Sequence, residues 1–181
     1  MRYLEYRAPC ALEQIRCILS IPTKKTDVRL VRHLTAQEMQ SILNAPDPVR
    51  RVGIRDRAML HLCFAGGLRV SELVGVRAVD VRLQPEPNVL IHGKGRRERC
   101  IPLWKETASA VRAWLSVRGQ VLAPELFINA RNGCMTRAGF ECILRKHARA
   151  AEKHCASLSS KWKSRCMMRS FHSLGKSVLN S

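Results

Sequence analysis

The sequence predicts a mainly α-helical domain carrying a small antiparallel β-hairpin or three-stranded sheet, an α+β fold, and three observations lead there. Ile54, Ala58, Leu62 and Ala65 recur at spacings of four, four and three, with Met59 and Leu60 beside them, the period of one buried helix. Thr35 and Glu38 form a T-x-x-E capping box at the start of another helix. Asn88 to His92 and Cys100 to Leu103 are short apolar runs of strand character. The basic turn Gly93-Lys94-Gly95-Arg96-Arg97-Glu98-Arg99 lies between them, so they pair as a hairpin.

A chain of 181 residues with 46% hydrophobic content can bury a core as one domain. Lys and Arg number 32 against 14 Asp and Glu, a net charge of +18, which points to a polyanionic partner. The charge alone does not choose between DNA and RNA. A membrane fits poorly, because no apolar run approaches the span of a bilayer and no helix joins a basic face to an aromatic apolar one. Met1 to Ala11 carries Arg2, Glu5 and Arg7 with no apolar central segment, so the expected location is the cytoplasm. Eight cysteines, at 10, 17, 63, 100, 134, 142, 155 and 166, form no C-x-x-C pair. Free thiols are expected, with Cys63 and Cys142 inside helical apolar patterns, and no metal or other cofactor.

In chain order, residues 1–31 read as a short helix from Ala11 to Leu19 and a polar linker, Ile21-Pro22-Thr23-Lys24-Lys25-Thr26, stopped by proline. A helix from Ala36 to Asn44 follows, ended by Pro46 and Pro48. The long helix around Ile54 to Ala65 stops at Gly66-Gly67, residues that tolerate left-handed backbone angles, and Ser71 is expected to cap the next helix. Pro85 and Pro87 separate this elbow from the hairpin. Thr107 to Val117 places Ala108, Val111 and Leu115 on one helical face, with Trp114 close by. Leu126-Phe127-Ile128 is an extended piece before an Arg131-Asn132-Gly133 turn, and Thr136 caps a helix bearing Phe140, Ile143, Leu144, His147 and Ala151. His147, on the apolar side, reads as a hydrogen-bonded core residue. From Ser157 to Ser181 there are eight serines, five Lys or Arg and no acid, so residues 157–181 read as a basic, disordered tail.

Three places could hold an anion. Arg69 falls in the turn after the glycines, where its planar fork can meet a phosphate or a carboxylate bidentately; pairing with Glu72 or Asp80 is the equal alternative. The hairpin tip carries Lys94, Arg96, Arg97 and Arg99 against one acid, Glu98, which suits a nucleic-acid groove or backbone, with a solvated basic turn as the other reading. Arg145, Lys146 and Arg149 lie on the polar side of the last helix, where they could track phosphates or form a solvated face.

Leu34-Thr35 opening a helix, then Ala65-Gly66-Gly67-Leu68-Arg69-Val70-Ser71-Glu72-Leu73, then His92-Gly93-Lys94-Gly95 with the arginines after it and Ile101-Pro102-Leu103, resemble the tyrosine recombinase (phage integrase) family over roughly Arg32 to Lys153. The resemblance implies the family's catalytic-domain fold over residues 32–156 and a role in DNA integration and site-specific recombination, as on a mobile genetic element. Residues 1–31 would then be the remnant of a separate DNA-gripping domain. By position, Arg69 resembles the first catalytic arginine and Lys94 the hairpin lysine acting as general acid, with Glu72 supporting Arg69. The resemblance also implies a His-x-x-Arg box, a later His or Trp and a closing nucleophilic tyrosine. Tyr3 and Tyr6 both precede the motif series; Arg169 stands near the expected box, with Cys166 in the histidine's place. The expectation is therefore a truncated, catalytically inactive form, incomplete at its C-terminus, with a frame disruption near Lys161. Its expected partners are double-stranded DNA and full-length recombinase protomers. The alternatives are a non-catalytic regulator of a full-length recombinase and a basic RNA-binding module.

Overall fold

The computed structural model of the chain describes residues 12–21, 34–93 and 98–158. It divides into two compact units, Met1–Leu30 and Val31–Ser181. In the first, helix α1 spans Leu12–Leu19 and closes with the Ser20 hydroxyl donating to the Cys17 carbonyl.

The second unit begins with α2, Ala36–Asn44. The predicted capping box forms: the Glu38 N–H donates to Thr35 Oγ1 and the Thr35 N–H to Glu38 Oε2, satisfying two donors that a helix start otherwise leaves open. Met39, Ile42 and Leu43 bury its inner face. Helix α3, Arg51–Ala65, starts three residues before the apolar pattern and is the central element, with Ala58, Met59, Leu60, Leu62 and Cys63 in the core. Gly53 is needed there, because a Cβ at that position would lie 2.0 Å from the Asp47 carbonyl oxygen. Burial pushes the Cys63 thiol up to about 12, so it is an inert core group. Cys142 differs from its apolar pattern and is exposed; the described cysteines are all free.

After the short helix α4, Val70–Gly75, comes a three-stranded antiparallel sheet in the order β1-β2-β3: Val81–Arg82, Asn88–His92 and Glu98–Pro102. The register pairs Val89 with Ile101 and Ile91 with Arg99. Val89, Ile91 and Ile101 are buried, so the same sheet face that meets the core also carries Arg99 at its hairpin end. Helix α5, Lys105–Arg118, packs along α3, and α6, Arg137–Glu152, packs against α2 and α4. Thr136 caps α6 as predicted, accepting from the Gly139 N–H.

Between α5 and α6 the chain has little regular structure, and polar side chains hold it. Trp114 Nε1 donates to the Leu126 carbonyl; the Arg118 guanidinium donates to the carbonyls of Ala123, Glu125 and Leu126. Arg51 lies 5.7 Å over the Trp114 ring and donates to the Val117 and Arg118 carbonyls. Asn129 Oδ1 accepts from the N–H groups of Arg131 and Gly133, and Asn132 takes a φ of 59° in the predicted turn. Leu158 is fully buried and the Ser157 hydroxyl reaches Glu38, so packed structure continues into the stretch expected to be tail. The remainder of that stretch, 159–181, lies outside the described residues.

Candidate nucleic-acid interface

The elbow follows from how α3 stops. The Leu68 N–H bonds the Cys63 carbonyl and the Gly67 N–H the Phe64 carbonyl, a Schellman closure with Gly67 at φ 52°, where a side chain would be strained. Leu68 is buried and anchors the turn. Arg69 therefore leaves a fixed point in extended conformation. It differs from the expected arrangement in one respect: Arg69, and not Ser71, occupies the N-cap of α4, and its N–H donates to Glu72 Oε2 at 2.9 Å. The carboxylate at the third helical position supplies the capping contact, so Ser71 has no capping role.

Glu72 is the meeting point. Its side chain is only 7% exposed, and each of its oxygens accepts two hydrogen bonds. Arg99 binds it as a planar fork, Nη1 to Oε1 at 3.1 Å and Nη2 to Oε2 at 2.9 Å. Arg69 adds its N–H and one longer contact, Nη1 to Oε1 at 3.4 Å. Burial pushes the Glu72 pKa up, but the hydrogen bonds from Arg99 and from the Arg69 N–H, with the charge of both arginines, outweigh it and hold the carboxyl below its usual range. One negative charge thus faces two positive ones, and the cluster keeps a net positive charge beside an Arg69 side chain that is 64% exposed. Arg99, expected among the DNA-contacting arginines, is engaged with Glu72, and its side chain is 42% exposed.

The foot of the hairpin is tied separately. His92 and Glu98 face each other across β2 and β3, with Nδ1 2.9 Å from Glu98 Oε1, while Nε2 lies 3.3 Å from Asp80 Oδ2. The Asp80 contact raises the His92 pKa most; partial burial opposes it and the Glu98 contact adds to it. Lys94, Arg96 and Arg97, on the turn itself, lie outside the described residues. Arg145, Lys146 and Arg149 are exposed on α6, the helix packed against α4, and neither Arg145 nor Lys146 bonds to the Glu72 cluster.

His147 is a core group: its Nε2 lies 2.9 Å from Asp56 Oδ2, and Asp56 Oδ1 accepts from Nε and Nη2 of Arg55. Among the described residues, no three His, Cys, Asp or Glu side chains could share a metal ion, and no helix is long and apolar enough to cross a membrane. Sequence reasoning missed the Arg99–Glu72 pairing and the His92 bridge. The signal for the first was the strand alternation, since Arg99 stands two residues before the inward-facing Ile101.

Residues 32–174 match the family model described as the phage integrase family. The match extends beyond the Lys153 limit of the motifs and takes in Arg169. The chain is 34% identical over 139 residues to the tyrosine recombinase XerD of Ralstonia nicotianae, covering 74% of this chain and 45% of that protein. It spans about half the length of the curated relatives it matches. Among solved structures, that of XerA recombinase aligns with a TM-score of 0.67 at 20% identity, covering 99% of this chain and 62% of that one. The pre-cleavage complex of the XerH site-specific recombinase with its difH substrate aligns with a TM-score of 0.60 at 22% identity, covering 82% and 42%. These structural likenesses are likenesses of fold.

Proposed function

The chain belongs to the phage integrase family, and from that premise we propose that it binds double-stranded DNA in the cytoplasm and takes part in site-specific recombination alongside full-length recombinase protomers. One observation carries this reading: an exposed guanidinium, Arg69, is fixed on a rigid elbow beside the strand that leaves a basic hairpin, in a chain of net charge +18. Arg69 would meet the non-bridging oxygens of a backbone phosphate and offset charge building on them. Lys94 would stand as general acid toward a leaving 5′ oxygen. Arg96, Arg97, Arg145, Lys146 and Arg149 would neutralise neighbouring phosphates and fix the register on the duplex without reading bases. No tyrosine follows Tyr6 in these 181 residues. For these 181 residues the proposed part is duplex binding; a phosphotyrosyl intermediate needs a hydroxyl in line with the scissile bond.

Fluorescence anisotropy with duplex DNA, competed by duplex RNA of the same sequence at matched salt, tests the reading. DNA is expected to win, and log affinity to fall linearly with log salt; RNA competing equally would overturn it. Incubation with a nicked suicide duplex, followed by denaturing electrophoresis, is expected to show no covalent adduct.

A further inference from the structure

We propose that Arg99 is a positioning residue: by clamping Glu72 it withholds that carboxylate from Arg69, so the Arg69 guanidinium stays available for a phosphate oxyanion. The inference rests on the DNA-binding reading above and assigns Arg99 a part other than direct phosphate contact. Three observations support it.

The sheet register places Arg99 on the core-facing side with Ile91 and Ile101, aimed at α4 and not outward with His92 and Glu98. The geometry of the shared carboxylate is unequal. Arg99 holds both oxygens through two charge-assisted bonds, while the Arg69 side chain has one contact at the limit of hydrogen-bond length. Exposure follows the same order, with Arg99 at 42% and Arg69 at 64%.

Removing Arg99 changes what Glu72 must do. Its nearly buried carboxylate would lose two donors, and Arg69, three residues away on the same turn, is the cation within reach. A carboxylate left with one donor on each oxygen, both from Arg69, draws that guanidinium into a closed pair and neutralises it. Arg99 also joins β3 to α4 across 27 residues of sequence, so seating of the hairpin and availability of Arg69 become one event.

The test is a double-mutant cycle of Arg99→Gln and Glu72→Gln, with Arg99→Lys as a charge-preserving control and unfolding curves on each variant. Without DNA, the 15N side-chain resonances of Arg69 report its guanidinium directly. Slow rotation and exchange protection are expected in Arg99→Gln and free rotation in wild type and in the double variant. With duplex DNA, Arg99→Gln should bind on the order of ten-fold more weakly, the size of one lost charge-assisted contact, and Glu72→Gln should restore most of that loss. Arg99→Lys, charged but unable to fork, should fall between the two. Additive losses in the cycle, with Arg69 resonances unchanged by Arg99→Gln, would overturn the proposal and make Arg99 a phosphate ligand. If Arg99→Gln fails to fold, Arg99→Lys carries the same comparison. Failure of wild type to bind DNA would sink the functional reading alone, because the Arg69 resonances still decide the part played by Arg99.

Discussion

The imidazole of His147 and the carboxylate of Asp56 meet at 2.9 Å across 91 residues of sequence, both almost fully buried, and join α6 to α3. With Arg55 on the other carboxylate oxygen and its Nη1 on the Ile128 carbonyl, one buried acid ties together two helices and the extended piece between α5 and α6. Asp56→Ala leaves a buried guanidinium without its counter-charge and should destabilise by about 3–5 kcal/mol. His147→Leu leaves Asp56 with Arg55 and should cost about 1–3 kcal/mol. Urea unfolding followed by circular dichroism measures both.

His61, buried on α3 with Nε2 unpartnered, has its pKa lowered to about 4, first by burial and then by the nearby Arg57 charge. Above the unfolded value of 6.5 neither state is protonated there; below it the unfolded chain binds a proton that the folded one refuses. Its effect on stability is therefore a loss that accumulates as pH falls from 6.5 toward about 4. Stability measured across that window should decline less in His61→Leu than in wild type.

His92 acts in the opposite direction. Its pKa is raised by Asp80 and Glu98, so its contribution is complete below 6.5 and disappears as pH climbs through the folded value. The difference in unfolding free energy between roughly pH 6 and pH 9 should shrink in His92→Gln, whose amide holds the site without titrating.

Gly67→Ala places a side chain at φ 52° and should destabilise by about 1–2 kcal/mol. The larger effect is expected in DNA affinity, because the turn that fixes Arg69 would have to rearrange. Gly75→Ala, where a Cβ meets open space, serves as the control that leaves binding intact.

Each phosphate contact should appear in the salt dependence of binding. Lys94→Gln, Arg96→Gln and Arg97→Gln should each lower the slope of log affinity against log salt by about 0.9, while Glu98→Gln should leave it nearly unchanged. A titration series in potassium chloride reads this.

Local rules made much of the fold legible. Thr35, Thr136 and the Gly66-Gly67 stop act through neighbours within five residues, so their partners stand in the same stretch of sequence. The elbow cap differs from the expectation that Ser, the commoner capping residue, supplies it: the acceptor for the Arg69 N–H is Glu72, reaching back three positions. Helix α3 begins earlier than its apolar pattern because Arg51 is held from outside by Val117, Arg118 and the Trp114 ring, partners more than sixty residues away. The carboxylate shared by Arg69 and Arg99 was hidden for the same reason. Two charged residues 27 positions apart announce a meeting only once strand phase and helix packing are both known.

The Arg118 fork grasps carbonyl oxygens of Ala123, Glu125 and Leu126, atoms every amino acid possesses. At the exposed positions Gln120, Leu122 and Pro124 the protein can therefore drift widely in side-chain identity while keeping its path, provided one guanidinium persists and Gly119, at φ 74°, stays glycine. Evolutionary freedom along this loop and intolerance at Arg118 are two sides of a single anchoring scheme.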